Sequence, residues 1–238
     1  MFNVYNYMNY NFSNLSEQNF ASAAGSYLRP YGIYKVTLTK IEKTELKGSK
    51  DPNAVYPVVT LEFTGTGEED SKGVFTTNLF IPTTEQDMER PTFKNNEGHE
   101  YNRPSRFENF QFTLMQIVHA LNPDGEDKIK ANASKIKSID QFIDLIIKAL
   151  AGKNNVVTEL KLVGRNNNGT IYAALPNACG LTKTGEVFPV NFIGSNLSFT
   201  NYEMTQMKNY QNAKPTTMPD SDNANASDDN LDLDDIEL

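Results

Sequence analysis

The chain has 238 residues, with 22 Lys and Arg against 30 Asp and Glu, a length that suits one or two domains with a core needing no covalent staple. One cysteine, Cys179, and two distant histidines, His99 and His119, exclude an internal disulfide and argue against a zinc site. No apolar run reaches the roughly 18 residues that cross a bilayer, and Met1–Gly25 has neither a basic start nor an apolar stretch, so a soluble, cytoplasmic protein without a signal peptide is expected.

Residues 1–26 mix Asn with Tyr and Phe at no regular period, which predicts a flexible arm whose rings either stack on bases or tack the arm to the body. Regular structure is expected over 27–210. From Ile33 to Ile41, Tyr34, Val36 and Leu38 alternate with Lys35, Thr37 and Thr39, the pattern of a half-buried strand. A loop over Glu42–Ala54 carries Lys43, Lys47 and Lys50, with turn chemistry at Asp51-Pro52-Asn53. Val55–Thr64 reads as a second strand with Val59, Leu61 and Phe63 on one side and Tyr56, Val58 and Thr60 on the other. Val74–Ile81 reads as a third, with Phe75, Leu79 and Ile81 opposed to Thr76, Asn78 and Phe80, and the three together predict a meander.

The period then changes. After a long loop, Ser105-x-x-Glu108 is a capping box, and Phe107, Phe110, Leu114, Ile117, Val118 and Leu121 follow at helical spacing until Asn122-Pro123. Ser138-x-x-Gln141 opens a second helix with Phe142, Leu145, Ile146, Ala149 and Leu150 on one face and Gly152 at its close. These two helices make an insertion over 105–151. Val156–Val163, the turn Arg165–Gly169 and Thr170–Leu175 predict a β-hairpin, and Thr200-x-x-Glu203 begins a short helix near Tyr210. A linker over 211–227 leads to an acidic tail over 228–238.

That tail holds most of the charge. Asp220–Leu238 contains eight carboxylates and no Lys or Arg; taking eight from 30 leaves 22 acids against 22 bases, so residues 1–219 are formally neutral and the net −8 lies in Asp220–Leu238, the end of the linker and the tail together. Asp228, Asp229, Asp232, Asp234, Asp235 and Glu237 alternate with Leu231, Leu233, Ile236 and Leu238, a segment that repels itself and has too little apolar surface to fold alone. It reads as a solubiliser, or as a polyanion whose aliphatic side chains anchor in a partner.

Catalytic and metal motifs fail on inspection. Gly180–Gly185 has the glycine spacing of a phosphate loop, but Glu186 stands where Lys is required. Asp228-x-Asn230-x-Asp232 starts like a calcium loop, but Leu233 replaces the turn glycine. His119 lies beside an apolar helical stripe with no recognisable nucleophile, so no enzyme, cofactor or metal is expected.

Three strands, a helical insertion and a two-strand hairpin are the order of an OB-fold, a five-stranded barrel with its helix between strands three and four; the same string also allows an α+β sandwich. In an OB-fold the ligand crosses strands two and three between two flanking loops. Those positions here hold Lys43, Lys47, Lys50 and Arg165 on the loops and Tyr56 and Phe80 on the strands, with Arg90, Phe93, Lys94, Tyr101 and Arg103 in the long loop before the helices. Lys35 and Tyr172 complete the candidate set. Cations that follow phosphates and rings that stack on any base suit a nonspecific single-strand binder.

The segment Pro30-Tyr31-Gly32-Ile33-Tyr34-Lys35-Val36-Thr37-Leu38-Thr39-Lys40-Ile41-Glu42, then Val58-Val59-Thr60-Leu61-Glu62-Phe63 after a basic loop, then the Asp-rich C-terminus resemble the bacteriophage single-stranded-DNA-binding proteins over residues 27–205 and the tail. The resemblance implies a barrel that coats single-stranded DNA in replication, recombination and repair in the cytoplasm of an infected bacterium. It also implies a tail that recruits polymerase, helicase-primase or nuclease and competes with DNA for a basic groove. Asp234-Asp235-Ile236 is similar to the ending of bacterial single-strand binders, which close on an aromatic residue after proline; Glu237-Leu238 here suggests partners encoded alongside this protein. A packaged structural protein and an acidic-tail adaptor are the alternatives, and self-association is left open.

Overall fold

The computed structural model describes residues 27–48, 51, 53–67, 72–94, 98–182 and 184–212. The arm, the acidic tail and the linker beyond Asn212 lie outside the described residues, as does Lys50. The alternating apolar residues build β1 (Gly32–Lys47), β2 (Val55–Gly65) and β3 (Val74–Phe80) into the expected antiparallel meander. Val36, Leu38, Val59, Leu61, Phe63 and Phe75 turn inward and are buried. β1 outruns its predicted end. A bulge between Leu38 and Lys40 shifts the register, so the core face is resumed by Ile41, three residues after Leu38. Lys43 and Lys47, expected in a loop, therefore stand on β1, and the β1–β2 connection shrinks to residues 48–54.

Two short strands, β4 (Thr92–Lys94) and β5 (Glu100–Asn102), form a hairpin inside the expected long loop. α1 (Arg106–Leu121) begins at the predicted capping box: the Ser105 hydroxyl accepts from Glu108 N at 3.1 Å, and the Glu108 carboxylate accepts from Ser105 N at 2.8 Å. α1 ends at Leu121, where Asn122-Pro123 predicts, but a helix that the sequence reading lacks follows at once. Asn122 caps a further helix, α2 (Pro123–Ala131), with Pro123 in its first turn, where a missing N–H costs no helical bond. α3 (Ile139–Leu150) follows, capped by Ser138, with Phe142, Ile143, Ile146 and Leu150 buried beside Leu114, Ile117 and Val118 of α1 in the core cluster.

β6 (Thr158–Asn167) returns to pair with the first part of β1, Gly32 opposite Leu162 and Val36 opposite Thr158. Its two-residue turn has Asn168 at φ 50 and Gly169 at φ 86, the left-handed pair that lets a tight hairpin match strand twist, and leads into β7 (Thr170–Ala174). A hairpin of β8 (Cys179–Leu181) and β9 (Val187–Pro189) follows, then β10 (Ile193–Gly194) on the edge of β6. The last element is α4 (Asn201–Asn212), opened by the predicted Thr200–Glu203 box, with Thr200 N donating to Glu203 at 2.7 Å.

The result is a mixed α+β architecture on an open sheet of order β10-β6-β1-β2-β3, with β7 on β6 and the helices between β3 and β6. The closed five-stranded barrel is not formed among the described residues. Closure would need β7, already paired with β6, to pair with β3 as well; no such pairing forms among the described residues, and β3 carries a bridge from Val74 to Tyr27.

Candidate functional site

Side chains of the meander that alternate away from the core form a solvent-side face. Across it, Leu46 stands opposite Tyr56, Thr44 opposite Val58 and Phe80, and Glu42 opposite Thr60 and Asn78. Tyr56 and Phe80 are 45% and 37% exposed, and their rings meet edge to face at 6.2 Å and 82°. An edge-to-face pair leaves the faces of the edge-on ring uncovered by its partner, free to stack on a flat group. On the same face Val58, opposite Phe80, is fully buried, and the Thr60 hydroxyl donates to Asn78 Oδ1 at 2.8 Å.

A second aromatic cluster lies on the β4–β5 hairpin. Phe93 stands opposite Tyr101 with ring centroids 6.2 Å apart, and the Arg103 guanidinium lies 3.7 Å over the Phe93 ring. Lys94 pairs with Glu100 at 3.1 Å. An open cleft of about 450 Å³ separates this hairpin from the β8–β9 turn. Arg90 fixes the base, donating through Nε to Glu108 at 3.0 Å and through a terminal nitrogen to Gly185 O at 2.6 Å. Burial works against the Glu108 carboxylate, but the Arg90 guanidinium and the Ser105 amide hold its pKa below the usual carboxylate range. A third pair sits on the β6–β7 hairpin, where exposed Tyr172 lies opposite Arg165.

Other predicted residues stand apart from these clusters. Lys43 shares the core-side face with Val59, because the bulge turned it there, and it ion-pairs with Asp140 of α3. Lys47 ends β1 opposite Val55. Lys35 stands opposite Glu159 and lines a cleft with His119. The tail positions Asp228, Asp229, Leu231, Asp232, Leu233, Asp234, Asp235, Ile236, Glu237 and Leu238 lie outside the described residues. Sequence reading missed Leu46, which stands opposite Tyr56 on the platform, and Lys40, which the bulge carries to the solvent side and which pairs with Glu42 at 2.7 Å. The signal was present in the three-residue step from Leu38 to Ile41.

His119 Nδ1 lies 2.6 Å from Glu126 on the exposed side of α1. Cys179 is buried and donates to Asn109 at 3.3 Å; burial pushes its thiol up to about 11. Among the described residues no cluster of three or more His, Cys, Asp or Glu is placed to hold a metal, and no helix is long and apolar enough to cross a membrane. No protein-family model, curated protein or solved structure matches the chain.

Proposed function

We propose that the chain binds single-stranded DNA with little sequence preference, laying the strand across the solvent-side face of β1–β3. The observation that carries this reading is the exposed Tyr56–Phe80 pair, set on adjacent paired strands where bases can stack on it. The Phe93–Tyr101–Arg103 cluster and the Arg165–Tyr172 pair supply further ring and cation contacts of the same chemistry. The open sheet is read as an OB arrangement: β1 is shared between β2 and β6, and the helices lie between the third and fourth long strands. The protein works without catalysis, in phage DNA replication, recombination or repair, in the cytoplasm of an infected bacterium. Its acidic tail recruits replication proteins and competes with DNA for the same cations.

The test is fluorescence anisotropy with labelled single- and double-stranded oligonucleotides at two salt concentrations. A clear preference for the single strand is expected, because the rings need unstacked bases. Equal affinity for duplex, or none for either, would overturn the reading; activity that survives in the isolated tail would favour the adaptor.

A further inference from the structure

Helix α4 is seated lightly on the sheet. No side chain of it is buried, and Tyr202 and Met204 are 59% and 39% exposed. A helix held for structure alone buries an apolar stripe. Two polar and aromatic contacts hold this one. At its first turn both Glu203 carboxylate oxygens accept from Lys161 Nζ at 3.1 Å. At its last turn Tyr210 meets Tyr31 with ring centroids 5.6 Å apart.

The surface beneath is built around those contacts. Lys161 is 2% exposed, also donates to Ser198 O at 3.2 Å, and has its ammonium 5.7 Å from the Phe199 ring. Tyr31 adopts φ 58, and its ring fills the space a Cβ on Gly164 would need, 2.4 Å away. Leu160 and Leu162, on either side of Lys161, point into the core, while its register partner Ile33 is 38% exposed. Lys161 therefore faces the solvent side, and α4 covers it. By strand alternation Arg165 follows on the same side of β6.

We propose that α4 is a detachable strap over a latent phosphate site, and that a bound single strand displaces it to reach Lys161 and Tyr31. The inference rests on the single-strand reading above. A buried ammonium is costly without an anion, so a strap that merely left would strand Lys161. A backbone phosphate arriving as Glu203 leaves keeps the site neutral, and the Tyr31 ring that Tyr210 vacates at the other end of the strap becomes available to a base, the ring-and-cation pairing a single strand uses.

Hydrogen exchange on the full chain, with and without oligo-dT, tests this. Residues 201–212 should lose protection on saturation with oligo-dT while β1 and β2 keep theirs. Glu203→Gln should loosen α4 without DNA and raise oligo-dT affinity severalfold. Lys161→Gln should flatten the log–log salt dependence of binding by about 0.7, one phosphate contact on a single strand. Unchanged or increased protection of α4 at saturating oligo-dT overturns the strap, as does a Glu203→Gln chain whose α4 exchanges no faster. If no form binds oligo-dT, the function reading falls, while the exchange of Glu203→Gln still decides whether α4 is held by that pair.

Discussion

Replacing Tyr56 and Phe80 by Ala, singly and together, separates a stacking platform from a packing pair. Truncating a fully buried aromatic costs about 3–5 kcal/mol, and these rings are only 55–63% covered, so each change should cost roughly 2 kcal/mol of stability. For a chain of this size that lowers Tm by about 4–8 °C. Loss of a stacked base should cost about 1–3 kcal/mol of binding, roughly five- to 150-fold in Kd. Tyr56→Leu and Phe80→Leu distinguish the two effects, because Leu keeps much of the apolar cover but offers no flat face. They should retain most of the Tm and lose most of the affinity, read by thermal unfolding beside anisotropy with oligo-dT. Additive losses in the double variant mean each ring holds its own base; losses that do not add mean they share one. Wild-type affinity in the double Leu variant would refute the platform.

Arg103→Ala should reduce affinity and flatten the salt slope by about 0.7, whereas Lys43→Ala should leave the slope unchanged, since Lys43 is engaged with Asp140 on the core side; equal slopes for both would refute that division. Deleting Asp220–Leu238 should keep the Tm and raise single-strand affinity, most at low salt where the Debye length is long; no gain at any salt would reduce the tail to a solubiliser or docking peptide. Burial raises but hydrogen bonds and cations more than offset it for Glu108, Glu126 and Asp87, whose folded pKa values lie below their ordinary 4.5, 4.5 and 3.8. Their contribution to stability is complete above those values and is lost as pH falls through the depressed ones, so Tm should drop on acidification below about pH 4.5 and Glu108→Gln should blunt the drop. Cys179 should resist alkylation at neutral pH in the folded chain, with its thiol pushed up to about 11 by burial, and react once the chain is unfolded.

Strand and helix identities were legible wherever apolar period and caps agreed, as at Val59/Leu61/Phe63 and the Ser105–Glu108 box. The inward and outward faces of β2 and β3 followed from alternation alone. The end of β1 was misread because a bulge interrupts the period of two, and the break was visible only as the Leu38–Ile41 step. That slip matters for the site: it moves Lys43 from a loop to the helical side. Asn122-Pro123 closes α1 as its sequence indicates, but the same proline sits in the first turn of α2, a nine-residue helix with too few apolar residues for its period to register. The β4–β5 and β8–β9 hairpins are three-residue strands, too short for alternation to register. Lys161 was unreadable as a buried cation, because its carboxylate lies 42 residues away, on another element.

Photocrosslinking tests the central claim most directly. Full-length protein bound to iododeoxyuridine-substituted single-stranded DNA is irradiated, and the attached peptides are sequenced. Crosslinks should fall on Tyr56 and Phe80, with further ones on Phe93, Tyr101 or Tyr172. Crosslinks confined to the helical side of the sheet, around α2 and α3, would place the strand elsewhere and contradict the account.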